Sequence, residues 1–279
     1  MTVLRQAAVL GSPIEHSLSP VLHRAAYAAL GLDWQYTAIE VEESGLADFW
    51  DTLDESWAGV SLTMPLKVAV LPLLDDITDR ARAIEAVNTV VFDEGRSVGY
   101  NTDVPGMINA LDEAATERDR IRSAAVIGAG ATARSAVAAI IERHAGQVPI
   151  TAFARRREQA RELLDLARSH GGTIDVGAWA DVDKAMSADL VVCTLPGGTD
   201  LDVTPPVAAG VLLDVAYDPW PTPLTSRWRE AGGAVATGAD LLLWQAIDQV
   251  ALMTGQPAPI EAMRAALVAA LDDRANASV

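Results

Sequence analysis

The chain has 279 residues, half of them hydrophobic, and 21 Lys+Arg stand against 38 Asp+Glu, a net charge of −17. That field repels polyanions, which argues against nucleic acid as a partner and means that any small anion must be met by local positive groups. The single cysteine, Cys193, excludes a disulfide framework or a cysteine-rich metal site, and no apolar stretch approaches the roughly 20 residues that span a bilayer.

Along the chain, apolar runs and amphipathic segments alternate. Gln6 to Leu10 predicts a strand and Ser19 to Leu30 a helix stopped at Gly31. Trp34 to Val41 alternates as a strand, Leu46 to Leu53 is helical, and Gly59 to Thr63 is the next strand. Helical pieces follow around Val68 to Leu74 and Asp79 to Ala86. Thr89 to Phe92 and Arg96 to Tyr100 then form a hairpin turning at Glu94-Gly95.

A second series starts near residue 123. Ala124 to Ile127, Pro149 to Ala154, Ile174 to Val176, Asp189 to Thr194 and Val211 to Val215 read as strands. Thr132 to His144 and Glu158 to His170 read as helices between them, and two more helices, Ala239 to Thr254 and Pro259 to Asp272, end the chain. This is α/β patterning in two series with an antiparallel edge in the first, and a boundary within residues 104–122. Cys193, inside Leu190-Val191-Val192-Cys193, is expected to pack. The first ten residues are too short and mixed for a signal peptide, so a cytoplasmic protein is expected.

Three motifs carry chemistry. Lys67 closes the run Gly59-Val60-Ser61-Leu62-Thr63-Met64-Pro65-Leu66-Lys67, where Pro65 ends strand pairing because it has no N–H. A lysine placed just past a buried strand sits at the carboxyl edge of a sheet, where open α/β folds bind ligands; the alternative is a solvated lysine opening a helix. Gly128-Ala129-Gly130-Ala131-Thr132-Ala133 follows a strand and opens a helix, the arrangement that lets backbone approach a pyrophosphate at a helix N-terminus. At the end of the next strand stand Ala154-Arg155-Arg156-Arg157 and no acid until Glu158. That favours NADP, whose 2′-phosphate an arginine accommodates, over NAD; otherwise these arginines pair with Glu158 or Glu162. Ser17 and Ser19 offer hydroxyls to a small hydroxylated acid, although Ser19 could equally cap the helix that Pro20 opens. Asn88, Asn101 and Asp103 add polar groups at turn-like positions.

Gly11-Ser12-Pro13-Ile14-Glu15-His16-Ser17-Leu18-Ser19-Pro20-Val21-Leu22-His23 closely resembles the entry motif of the shikimate dehydrogenase family. Thr63-Met64-Pro65-Leu66-Lys67, Ala86-Val87-Asn88-Thr89 and Asn101-Thr102-Asp103 also resemble that family's motifs, in the same order. So do the glycine turn, Tyr217-Asp218-Pro219 to Thr222-Pro223-Leu224, and Gly238 with Gln245.

The resemblance implies two domains and NADPH-dependent reduction of 3-dehydroshikimate to shikimate, on the way to chorismate and the aromatic amino acids. The expected organisation is an N-terminal α/β substrate domain, residues 1–104, and a Rossmann-like NADP-binding domain, residues 105–238. Helices from about 239 to 279 would return to the first domain, and the substrate would sit in the cleft between the two. It further implies Lys67 and Asp103 as the catalytic pair, and Ser17, Ser19, Thr63, Asn88, Asp103, Tyr217 and Gln245 as substrate contacts. Gly128, Ala129, Gly130, Ala131, Thr132, Arg155, Arg156, Thr194, Val215 and Gly238 would meet the cofactor. No metal is implied, the partners are small molecules, and the expected state is a monomer or homodimer.

Arg24, Ala131, Ala154 and Arg156 depart from the family's usual residues. The last two keep open a relative that oxidises quinate as well as shikimate and uses NAD. A non-catalytic NADP- or metabolite-sensing relative is a further alternative, distinguished by binding without turnover.

Overall fold

The computed structural model describes residues 4–115, 120–199 and 201–277. They form two compact units: the first holds the chain up to Thr102 and again from Gln245, the second runs from Asp103 to Trp244.

The first unit is built from β1 (Arg5–Gly11), α1 (Ser19–Leu30), β2 (Trp34–Glu40), α2 (Leu46–Trp50), β3 (Trp57–Leu62), α3 (Leu66–Ala69), β4 (Asp76–Ile77), α4 (Asp79–Ile84), β5 (Thr89–Asp93) and β6 (Arg96–Tyr100). Its sheet has the order β2-β1-β3-β5-β6-β4 among the described residues. β1 pairs in parallel with β2 and β3, whereas β5 is antiparallel to both β3 and β6. All six residues of β3 are buried, as expected of a central strand covered on both faces. α1 ends at Gly31, whose left-handed backbone (φ 67°) turns the Leu32 N–H onto the Tyr27 carbonyl at 2.9 Å, the stop expected from the sequence. Glu94 and Gly95, both at positive φ, make the tight turn between β5 and β6.

The second unit comprises α5 (Asp103–Ala114), β7 (Ala124–Ile127), α6 (Ala131–Arg143), β8 (Ile150–Phe153), α7 (Arg157–Ser169), β9 (Ile174–Gly177), β10 (Leu190–Cys193), β11 (Val211–Asp214), α8 (Pro223–Glu230) and β12 (Ala234–Thr237). A 3-10 stretch, Trp179–Ser187, links β9 to β10. The sheet is wholly parallel with the order β12-β11-β10-β7-β8-β9. That is the doubly wound order of dinucleotide-binding folds, with its reversal between β7 and β10. Trp228 of α8 is fully buried in this unit's core and donates its Nε1–H to the Gly210 carbonyl at 2.9 Å.

Two helices finish the chain, α9 (Gly238–Thr254) and α10 (Ile260–Ala277). α9 opens on a reciprocal cap: Asp240 Oδ2 accepts from the backbone N–H of Thr237 at 2.8 Å and from its hydroxyl at 2.6 Å. In the first unit α10 packs beside α1, so the C-terminal helix does return to the N-terminal fold. Six described segments go beyond the sequence reading: a 3-10 turn at Glu43–Gly45, β4, α5, the 3-10 stretch Trp179–Ser187, α8 and β12. β12 has a single large apolar residue, Val235, and α5 begins one residue before what reads as a boundary and runs into it. α8 carries a plain start signal, with Thr222 accepting from Thr225 N–H and Pro223 in the first turn.

Candidate active site

In the first unit the strand pairing gathers the polar residues at one edge of the sheet. β1 and β3 run in parallel, so Ser17 and Ser19 follow one strand, and Thr63 and Lys67 the next, past the same edge. β5 is antiparallel to β3, with Thr89 opposite Ser61, so Asn88 enters there; Tyr100 pairs with Thr89, so Asn101 and Thr102 leave there. Register thus collects residues that lie far apart in the sequence.

Hydrogen bonds fix that edge. Thr63 N–H donates to Leu10 O at 2.9 Å, and Leu62 N–H to Asn88 O at 2.8 Å. Val87 N–H donates to the Lys67 carbonyl at 2.8 Å, which ties the backbone of the lysine to the residue before Asn88. Lys67 and Thr63 are half-buried. Ser19 is the first helical residue and does not cap α1; instead Ser17 Oγ accepts its N–H at 3.3 Å. The helix-capping alternative for Ser19 therefore falls.

Asn88 sits in a buried chain of hydrogen bonds in which every link donates in the same direction. Tyr36 OH donates to Ser61 Oγ at 2.7 Å, and Ser61 to Gln249 Oε1 at 3.0 Å. Gln249 Nε2 donates to Thr89 Oγ1 at 3.0 Å, and Thr89 to Asn88 Oδ1 at 3.0 Å. Asn88 Oδ1 also accepts Thr102 N–H at 2.8 Å, while its Nδ2 donates to Thr102 Oγ1 at 2.9 Å and Gln245 Oε1 at 3.4 Å. Asn101 Nδ2 donates to Ala86 O at 3.0 Å. The amide of Asn88 is therefore held in one orientation. Gln249, one turn beyond Gln245 on α9, is a positioning group absent from the sequence reading; its signal was a second glutamine at helical spacing on an apolar helix.

His23 closes the base of this cluster. Its ring stacks on Tyr36 at 3.8 Å between centroids, and Nδ1–H donates to Ser19 O at 2.9 Å. Nε2 is buried with no partner among the described residues, and burial pushes the imidazole down to about 4. It is neutral at physiological pH and serves packing.

In the second unit the expected cofactor residues follow the carboxyl ends of parallel strands. Gly128 follows β7, Arg155 follows β8, Thr194 follows β10, Val215 and Tyr217 follow β11, and Gly238 follows β12. Gly128 has φ 116°, which favours glycine, and Thr194 Oγ1 donates to Ile127 O at 3.0 Å beside it. Gly130 precedes α6 with open space where a side chain would start, and the fully buried Ala133 lets α6 close on the sheet. Ala129 is buried, while Ala131 and Thr132 are half-buried in the first turn. A Cβ at Gly238 would lie 2.3 Å from Val215 O, so only glycine lets α9 start that close. Asp103, the first residue of α5, is buried.

Of the three arginines, the structure describes the side chains of Arg155 and Arg156, and both are exposed. Glu162 forms an ion pair with Arg134, so the pairing of that acid expected as the alternative for the strand-end arginines is met by another residue. The Arg155 guanidinium lies over the Trp179 ring, 5.6 Å from its centroid. Asp214, at the end of β11, is buried and accepts from Thr222 Oγ1 at 2.6 Å; burial raises its carboxyl above the usual range. Burial also pushes the Cys193 thiol up to about 12, so this cysteine packs and is not a nucleophile. The open glycine turn, a helix N-terminus that no side chain caps among the described residues, and an arginine without a strand-end acid fit a dinucleotide with a 2′-phosphate.

Comparison with known proteins agrees. Residues 9–90 match the model of the shikimate dehydrogenase substrate binding domain, and residues 238–268 that of the shikimate 5'-dehydrogenase C-terminal domain. The chain is 37% identical over 283 residues to a shikimate dehydrogenase (NADP(+)) of Citrifermentans bemidjiense, covering 97% of both. It is similar to the crystal structure of Mycobacterium tuberculosis shikimate dehydrogenase, with 40% identity and a TM-score of 0.81 over 95% of this chain and 99% of that one. It also resembles a quinate dehydrogenase of Corynebacterium glutamicum solved in complex with NAD, at 27% identity and a TM-score of 0.83 over 95% and 99% of the two chains. With 32% and 37% identity over 96% and 97% of its length, the chain belongs to the shikimate dehydrogenase family.

Proposed function

We propose that this protein is an NADP-dependent shikimate dehydrogenase, reversibly reducing 3-dehydroshikimate to shikimate in the cytoplasm, in the supply of chorismate for aromatic amino acids. The observation that carries the reading is the 37% identity to an NADP(+) shikimate dehydrogenase over 97% of the chain, together with Arg155 in place of an acid at the end of β8. Among the described residues no helix is long and apolar enough to cross a membrane.

When bound, the nicotinamide supplies the hydride that adds to the substrate's carbonyl carbon. Lys67, as an ammonium, stabilises the charge that develops on the carbonyl oxygen and gives it a proton; as a neutral amine it accepts that proton in the oxidation direction. Asp103 accepts a hydrogen bond from a substrate hydroxyl and, with Lys67, completes the catalytic set. Ser17 and Ser19 bind the substrate carboxylate. Thr63, Asn88, Tyr217 and Gln245 bind its hydroxyls; Thr89 and Thr102 fix the orientation of the Asn88 amide, and its long 3.4 Å bond to Gln245 is the one that yields to substrate. Gly128 to Thr132 would hold the pyrophosphate, Arg155 and Arg156 the 2′-phosphate, and Thr194, Val215 and Gly238 would complete the cofactor site.

The second reading, a quinate/shikimate dehydrogenase using NAD, is favoured by the likeness to the NAD-bound quinate dehydrogenase and by Ala154 beside the arginines. Steady-state oxidation of shikimate and quinate, each with NADP+ and NAD+, separates the two. Turnover of shikimate with NADP+ alone supports the first reading; quinate turnover or an NAD+ preference supports the second. Turnover with none of the four pairs, despite binding, leaves a sensing relative.

A further inference from the structure

The parallel register of β8 and β9 pairs Phe153 with Gly177. Extending it by two residues past both strand ends sets Arg155 opposite Trp179. Two further features hold them there. Gly177 has no side chain, and a Cβ on it would lie 2.4 Å from the Phe153 ring, so the strand ends lie close together. The Trp179 indole packs on the core cluster that includes Phe153, Ala185 and Met186. The ring is therefore anchored by the core, while its face carries the exposed Arg155 guanidinium at 5.6 Å.

An exposed arginine on a long flexible stem must lose rotamer freedom to receive a phosphate. One already resting on a fixed aromatic face has lost part of that freedom before binding, and a cation on an indole face is attracted by the ring quadrupole. We propose that Trp179 is a specificity-determining positioning residue, which pre-orders Arg155 for the 2′-phosphate and so contributes to the choice of NADP over NAD. This rests on the NADP reading above.

The test is calorimetric titration of the full-length protein with adenosine 2′,5′-bisphosphate and with adenosine 5′-monophosphate, which differ in the 2′-phosphate. Wild type, Trp179→Leu, Trp179→Phe, Arg155→Ala and the Arg155→Ala/Trp179→Leu double variant are compared. The expected result is that Trp179→Leu weakens the bisphosphate about two- to five-fold and leaves the monophosphate unchanged, the range for an exposed cation–π contact. Trp179→Phe, which keeps a ring and the core packing, should lie closer to wild type, and Trp179→Leu should add nothing in the Arg155→Ala background.

Equal weakening of both ligands by Trp179→Leu would make the indole an adenine platform and overturn the inference. So would a wild-type bisphosphate affinity in Trp179→Leu, or an undiminished Trp179 effect in the absence of Arg155. If wild type does not prefer the bisphosphate, the NADP reading falls and the inference with it. If wild type prefers it and Arg155→Ala abolishes the preference while Trp179→Leu does not, only the inference falls.

Discussion

A Cβ placed on Gly128 would stand 2.2 Å from Thr194 Oγ1, so the turns that leave β7 and β10 touch where the strand order reverses. Open α/β sheets bind ligands at this point, and the contact leaves no room for a side chain on the turn.

Gly128 and Gly130 should therefore respond differently to alanine. Gly128→Ala forces an L residue to φ 116° and into Thr194, a strain on the order of 1–3 kcal/mol, so both the melting temperature and NADP+ affinity should fall. Gly130 has φ −84° and nothing within 4 Å, so Gly130→Ala should keep the wild-type melting temperature while crowding the pyrophosphate and weakening NADP+ binding. Thermal melts alongside NADP+ titration check both. Equal melting temperatures for the two variants would refute the geometric argument.

Lys67→Ala should lower kcat by on the order of 10²–10⁴ while KM for shikimate changes little, because a positioned proton donor acts in the transition state. The half-buried lysine is not part of a packed core, so the variant should melt close to wild type. A large rise in KM with kcat intact would make Lys67 a binding residue instead.

Gln249 joins Ser61 to Thr89 in the buried chain that ends on Asn88. Gln249→Met keeps similar volume but leaves the Ser61 and Thr89 hydroxyls without those partners, which should cost about 1–3 kcal/mol in urea unfolding. Because the chain orients Asn88, KM for shikimate should rise as well. A loss of stability below about 0.5 kcal/mol would mean that the two hydroxyls re-pair without the glutamine.

His23 makes stability depend on acid. Its folded value of about 4 lies below the unfolded 6.5, so the unfolded chain binds the proton first. The contribution is complete above pH 6.5 and is lost as the pH falls from 6.5 to about 4, a total of about 3 kcal/mol from the imidazole alone. His23→Phe keeps a ring against Tyr36 but removes the titration. Urea unfolding at pH 7.5 and pH 4.5 should then show a smaller acid loss in the variant than in wild type. An identical acid loss in both would exclude His23 as its source.

Several elements were plain from local chemistry. The bounds of α1 follow from Pro20 and Gly31, those of β7 from a short apolar run, and the β5–β6 hairpin from Glu94-Gly95. Each signal acts within a few residues, where backbone sterics and side-chain periodicity operate. β4 has two residues, too few to carry a pattern, and β12, Ala234–Thr237, has a single large apolar residue where β7 of the same length has two.

The sequence by itself determined the residue types at the site, the glycine turn, the strand-end arginines and, through its ordered motifs, the family. Only the tertiary structure decided which polar groups hold one another. Gln249 lies 188 residues from Ser61 and 160 from Thr89, and helix and strand periodicity say nothing about partners at that range. Trp179 meets Arg155 only because β8 and β9 pair in one particular register. Register is fixed by burying whole faces of a sheet, a property of the packed strands together and of no single segment.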